Sequence, residues 1–364
     1  MESKYVEDLY RILDTGIKAK ASDIHLTNNL VPTLRIDGEL RKLGGFEVHT
    51  PKALATYVDE ILNEEQKIMY EKNKEADLSM SHGNVRFRVH IYRQSQSDTI
   101  ALRTIPKEIP SFEQMNLPSV LKNFTKIQNG LVLITGITGS GKSTTLAAMI
   151  DEINRTQAKN IITIEDPVEF IHEHKKSIVN QREIGVDVLS FSRAVRAAMR
   201  EDPDILLVGE LRDLETIQNA ITMAETGHLV LGTLHTKSVP ETIDRIIDVF
   251  PSTQQDQVRI QLANSIEGIV CQDLLPKIGG GRVPLCEIMI TNDAIRSIIR
   301  ENQNPNAIID QMQTNSKKTG SQTRIQSLAK LVADKKIIRE TALKNIKTED
   351  FDLLNKTIVS LSRQ

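Results

Sequence analysis

Residues 131–153 read LVLITGITGSGKSTTLAAMIDEI. An apolar run from Leu131 to Ile134 leads into GITGSGKST at 136–144, and a helix-like stretch from Thr145 to Ile153 follows. Strand, glycine loop and helix in that order are the setting in which GxxxxGK[ST] becomes a phosphate cradle. Gly136, Gly139 and Gly141, interspersed with Thr138 and Ser140, let backbone N–H groups curl around phosphate oxygens. Lys142 can reach the β- and γ-phosphates, the Ser143 hydroxyl can ligate Mg²⁺, and Thr144 closes the motif. The pattern predicts a site for a nucleoside triphosphate such as ATP.

Further along the chain, LVLIT, NIITIED, DILLVGE and LVLGTLHT are β-rich runs, each followed by a polar or helical segment. Such alternation predicts an α/β fold with a mostly parallel sheet and its ligand at the carboxyl ends of the strands. Phosphoryl transfer also needs a metal ion, an oriented water and positive charge, and candidate residues for these stand at those ends. Glu165, after NIITI and next to Asp166, could hold or polarise the Mg²⁺ shell, and Glu169 lies just beyond. Glu210 follows DILLVG, where Gly209 stands in place of the expected metal-binding Asp, leaving the glutamate as base or water-orienting group. His228 and His235 bracket LVLGTL, and His235 could contact a γ-phosphate or sense its loss. Positive charge could come from Arg86, Arg88 and Arg103, or from Arg193, Arg196, Arg200, Arg212 and Arg245; spacing does not choose among them.

The chain before the glycine loop has a different texture. Apolar residues at Tyr5, Leu9, Ile12, Leu13 and Ile17 predict an opening helix over 3–19. IHL, TLRI, an Asp37-Gly38 turn and ELRKL read as hairpin strands, and a helix is expected from about Pro51 to Lys72. In VRFRVHIY, Val85, Phe87, Val89 and Ile91 share one face and Arg86, Arg88 and His90 the other, with TIALRTI as partner strand. The expected organisation is an α+β domain over 1–105, a proline-marked linker over 106–122, and an α/β domain over 123–364 that turns helical beyond about residue 285.

Composition narrows the function. The 364 residues are 39% hydrophobic and 26% charged, as in ordinary globular proteins. No apolar run approaches the roughly 18 residues that a membrane helix needs, and the N-terminus does not read as a signal peptide, so a cytoplasmic protein is expected. Cys271 and Cys286, without a CxxC, support neither a disulfide framework nor a cysteine zinc site. A net charge of −2 and no Trp make stable nucleic-acid binding a poor first expectation.

GITGSGKSTT, IITIEDPVEF, REDPDILLVGELRD and ETGHLVLGTLHT resemble the Walker A, Asp box, Walker B and His box of the type II/IV secretion ATPases. ASDIHL and TLRIDGEL are similar to the PAS-like N-terminal domain of that family, and AIRSIIRE at 294–301 resembles the signature octapeptide of its pilus-retraction branch. By spacing alone the octapeptide is an amphipathic helix, with Ile295, Ile298 and Ile299 on an apolar side and Arg296 and Arg300 on a polar one. The resemblance implies a RecA-like ATPase domain in a homohexamer, with domain rotation coupled to ATP hydrolysis. It implies that Arg88 and Arg103 contribute to a shared nucleotide pocket, that Glu165 and Glu210 are needed for turnover, and that His228 and His235 couple nucleotide state to domain position. Ala294, Ile295, Arg296, Ile299, Arg300 and Glu301 would serve retraction beyond hydrolysis itself. The implied partner is an inner-membrane pilus platform protein, which would hold the motor at the membrane without insertion. The absence of a tetracysteine insertion and of a longer N-terminal region also favours retraction. A motor of the same family that extends a pilus or drives secretion, a RecA-like nucleic-acid translocase, and a nucleotide-dependent scaffold remain open as alternatives.

Overall fold

The computed structural model describes residues 2–36, 38–105 and 108–361. Two compact units emerge, Met1–Glu108 with Asp166–Ile171, and Ile109–Glu165 with His172–Gln364.

The first unit opens with α1 (Glu2–Lys18) and the strands β1 (Asp23–Leu26), β2 (Thr33–Ile36) and β3 (Glu39–Lys42). Helices α2 (Pro51–Ile61) and α3 (Glu64–Asn73) follow, then β4 (Glu75–His82), β5 (Val85–Gln94) and β6 (Ser97–Ile105). Every neighbouring pair in the order β3-β2-β1-β6-β5-β4 is antiparallel. Alternation along β5 sends Phe87, Val89 and Ile91 into a core shared with Leu9, Ile12 and Leu13 of α1 and Leu54 and Tyr57 of α2. The single helix expected over 51–72 is two. Asn63 Oδ1 accepts the Gln66 N–H at 2.8 Å while Gln66 Oε1 accepts the Asn63 N–H at 3.0 Å, a capping box that restarts the helix. Strand β4 escaped the sequence reading because EADLSMSH buries only Leu78 and alternates weakly. Asp37 of the expected turn, and Pro106 and Lys107 of the expected linker, lie outside the described residues.

The second unit contains α4 (Leu121–Phe124), β7 (Gly130–Thr135), α5 (Lys142–Thr156), β8 (Asn160–Glu165), β9 (Ile178–Glu183), α6 (Phe191–Ala198) and β10 (Ile205–Val208). It continues through α7 (Leu214–Glu225), β11 (Leu229–Leu234), α8 (Val239–Asp248), α9 (Ser252–Ser265), β12 (Ile266–Pro276) and β13 (Arg282–Ile290). Helices α10 (Asp293–Arg300), α11 (Asn306–Thr314), α12 (Ser316–Thr319), α13 (Arg324–Ala333), α14 (Arg339–Leu343) and α15 (Phe351–Leu361) complete it. The sheet order is β13-β12-β7-β11-β10-β8-β9, parallel throughout except for the β12–β13 hairpin. Along β7, Leu131 and Leu133 enter one apolar core and Val132 and Ile134 the other, so both sheet faces are covered. Strand β13 runs to Ile290, beyond the point where helical texture was expected to begin. Phe112, Leu117 and Leu121, within the stretch expected as linker, are packed into the second of those cores. Cys271 and Cys286 are buried free thiols, and burial pushes the Cys286 thiol up to about 12. Among the described residues no helix is long and apolar enough to cross a membrane.

Candidate nucleotide site

Register aligns the strand ends. Thr135 of β7 pairs with Leu234 of β11, Gly232 of β11 with Val208 of β10, and Val208 with Ile164 of β8. The glycine loop, His235, Glu210 and Glu165 therefore stand at the carboxyl ends of adjacent strands, where helices covering the sheet faces leave an open rim.

The loop must turn sharply at Gly136, which holds φ at +144°; a Cβ there would lie 2.2 Å from the Gln272 carbonyl oxygen. Helix α5 then starts at Gly141 without a side-chain cap. Ser190, Asp213, Ser238 and Asn292 each accept a first-turn N–H at the start of α6, α7, α8 and α10, whereas α9 and α11, like α5, have no side-chain cap. No side chain occupies the first N–H groups of α5, and behind the glycine loop they are open to an anion, which the helix dipole favours. Lys142 Nζ donates to the carbonyls of Gly136 at 2.7 Å and Ile137 at 3.1 Å, so its ammonium is held over the loop. Ser140 Oγ is buried in the loop without a hydrogen-bond partner, while Ser143 is exposed at the first turn of α5. These residues fit a polyphosphate with its cation: uncapped N–H donors, one ammonium and one accessible hydroxyl.

Glu210 Oε2 meets Arg212 at 2.8 Å, and its Oε1 lies 3.4 Å from His235 Nε2. Burial alone would raise the carboxyl, but the Arg212 hydrogen bond and the charges of Arg212 and His235 outweigh it and hold Glu210 below the ordinary carboxylate range. It is an anion at neutral pH, able to orient a water and accept its proton. A Cβ at Gly209 would come within 3.1 Å of the Ile164 carbonyl oxygen and 3.2 Å of Glu165 Cα, so any larger side chain here would press on the backbone of β8. Glu165 Oε1 accepts from Thr163 Oγ1 at 2.7 Å and Gln181 Nε2 at 3.3 Å, which aims its carboxylate.

His228 departs from the expectation that the candidates gather at the carboxyl ends. It precedes β11, donates from Nδ1 to the Met223 carbonyl at 3.0 Å, and its own carbonyl accepts the Gly130 N–H. Six strand residues at about 3.3 Å each put it roughly 20 Å from His235. Its hydrogen bonds secure the turn between α7 and β11.

Arg88 and Arg103 face each other across β5 and β6 in the first unit. Arg103 Nε donates to Asp23 Oδ1 at 2.9 Å, Arg88 lies 3.9 Å from Glu169, and Arg86 Nε donates to the Val168 carbonyl at 3.1 Å. In the second unit, Arg212 reaches a candidate acid and Arg196 pairs with Glu215.

AIRSIIRE forms α10 from Asp293 and buries Ile295, Ile298 and Ile299, as its spacing predicts. Arg296 is not a free surface cation. It donates to the carbonyls of Ala263 and Asn264 at 2.6 and 2.9 Å and to Glu267 at 2.6 Å, closing the C-terminus of α9. Arg300 reaches Asn264 Oδ1 at 3.3 Å, Ala294 is exposed, and Glu301 caps the end of the helix. Arg296 therefore serves α9, while Arg300 stays exposed beside it.

Gln272 escaped the sequence reading altogether. It sits in the apolar run IEGIVCQDLLP, 4% exposed, with its amide on the glycine loop. A buried amide in an apolar strand is the one local signal that could have marked it.

A model of the family described as "Type II/IV secretion system protein" matches residues 2–280. The chain is 46% identical over 344 residues to the type IV pilus retraction ATPase PilT of Pseudomonas aeruginosa, covering 93% of this chain and 98% of that one. It is 44% identical over 313 residues to a twitching motility protein of Neisseria gonorrhoeae, covering 85% and 83%. The crystal structure of the pilus retraction motor PilT with bound ADP superposes with a TM-score of 0.87 at 45% identity, over 94% of this chain and 98% of that chain. With its strand-end site and these similarities over nearly its whole length, the chain belongs to the type II/IV secretion system protein family.

Proposed function

We propose that this chain is a cytoplasmic homohexameric motor that hydrolyses ATP with Mg²⁺ to retract a type IV pilus, passing its work to an inner-membrane platform protein. The observation that carries the reading is the uncapped start of α5 in register with Glu210 and His235 on the neighbouring strand ends. Similarity to pilus retraction motors over more than nine-tenths of the chain gives the direction of work.

In this reading Lys142 and the first N–H groups of α5 hold the β- and γ-phosphates, with Gly136, Thr138, Gly139, Ser140, Gly141 and Thr144 shaping the loop. Ser143 and Glu165 are the residues that would hold Mg²⁺, which when bound would offset the negative charge of the phosphates. Glu210, kept anionic by Arg212 and His235, aligns the attacking water and takes its proton. His235 shares that carboxylate, so a change at the phosphate reaches the segment leading into α8. Arg88 and Arg103 are proposed to supply positive charge to the transferred phosphoryl group; some activity should return when Arg88→Ala and Lys142→Ala chains are mixed in one hexamer. Helix α10 transmits work through α9, which Arg296 and Arg300 hold.

The test is the number of surface pili on cells whose only copy carries Glu210→Gln at unchanged protein level. Excess pili with lost surface motility support retraction; bald cells reverse the direction, and an unchanged count refutes a pilus role.

A further inference from the structure

The glycine loop is braced from outside its own motif. β12 runs parallel to β7 with Cys271 opposite Thr135, which carries Gln272 alongside Gly136. The Gln272 Nε2 group donates to the Ser140 carbonyl at 2.8 Å, and its Oε1 accepts from Thr145 Oγ1 at 2.8 Å. Its own backbone carbonyl fills the space a Cβ would need at Gly136. One residue therefore contacts the start of the loop, its apex and the first turn of α5. Because a carbonyl oxygen can only accept, the amide nitrogen must face Ser140, and this fixes the orientation of the carboxamide. A methionine of that length offers neither donor nor acceptor of this kind, an ionised glutamate only accepts, and only a protonated glutamate could match both bonds. The next residue, Asp273, is tied to Arg324 of α13 at 2.9 Å, so the brace is anchored in the C-terminal helices.

We propose that Gln272 is a positioning residue for the nucleotide: it holds the loop apex and the first turn of α5 at the spacing that a polyphosphate requires, and so sets nucleotide affinity without touching the ligand. The inference rests on the assignment of the loop as the nucleotide site. Both of its hydrogen bonds are buried, and losing them leaves the Ser140 carbonyl and the Thr145 hydroxyl unpaired beside the site, a cost that corresponds to about tenfold to a hundredfold in affinity if borne on binding.

The experiment titrates a fluorescent ADP analogue and ATP into the full-length protein and its Gln272→Met and Gln272→Glu variants between pH 6 and pH 8.5, with thermal melting of the nucleotide-free proteins alongside. Gln272→Met should bind about tenfold to a hundredfold more weakly at all pH values. Gln272→Glu keeps the acceptor for Thr145 and can donate to Ser140 only when protonated, so its deficit should shrink as pH falls; a merely structural brace would lower the melting point without this pH-dependent recovery. A folded Gln272→Met protein with affinity within twofold of the parent overturns the proposal, and weak binding by Gln272→Glu alone would then be charge repulsion. If Gln272→Met does not fold, Thr145→Val removes the helix-side bond and should weaken binding about threefold to tenfold, with unchanged affinity again overturning it. Lys142→Ala separates the two levels: if it binds like the parent, the loop assignment itself fails; if it loses binding while Gln272→Met does not, only the brace fails.

Discussion

In the six-stranded antiparallel sheet, β5 buries Phe87, Val89 and Ile91 on one face and keeps Arg86, Arg88 and His90 half-exposed on the other. In the seven-stranded sheet, β7 is buried at every residue from Gly130 to Thr135. The antiparallel sheet can carry functional side chains along a face, because only one face needs a core. The parallel sheet spends both faces on cores, and its polar chemistry is confined to the rim where the strands end. The cations of the first unit accordingly lie in mid-strand, whereas Glu165, Glu210 and His235 of the second lie at strand ends.

The largest effect is expected at the rim: Glu210→Gln should retain ATP binding but lower kcat at least about a hundredfold, measured by phosphate release, and an unchanged kcat would remove the carboxylate from its role. The pH profile sharpens the same point. Arg212 and His235 hold Glu210 below the ordinary carboxylate range, so the anion persists as pH falls past that range. Its contribution to stability is present above the unfolded value and is lost as pH drops through the lowered folded value. Turnover should therefore show no loss from this group between pH 8 and the ordinary carboxylate range; an acid limb beginning nearer neutrality in the parent and unchanged in Glu210→Gln would identify a different group.

Packing comes next. Leu133→Ala, on the fully buried β7, should cost about 2–5 kcal/mol in urea unfolding, because neither face can relax around the cavity. By contrast Arg103→Ala, whose side chain is 70% exposed, should change stability by less than about 1 kcal/mol despite breaking its pair with Asp23. A large loss at Arg103 or a negligible one at Leu133 would contradict the distinction between the two sheets.

The sequence was most legible where one local pattern decides the structure. GITGSGKST set between an apolar run and a helix located the loop, and the β5 alternation sorted its two faces correctly. It was least legible where the decisive partner is distant. Asn63 and Gln66 break what reads as one helix because two short reciprocal bonds outweigh the continuing apolar pattern. His228 and His235 look equivalent as brackets of one strand, yet a strand has two ends and only one carries the loop. Arg296 reads as a surface cation because nothing in AIRSIIRE shows that the C-terminus of α9 awaits it.

By itself the sequence determined the α/β class, the phosphate loop and the acids that follow buried strands, since each depends on residues within a few positions of one another. The tertiary structure alone decided which strand ends adjoin, how closely Gly209 approaches the backbone of β8, and how Gln272, more than a hundred residues away, braces the loop. The physical reason is that strand order and close backbone approach are set by packing between segments distant in the chain, which no local period or motif encodes.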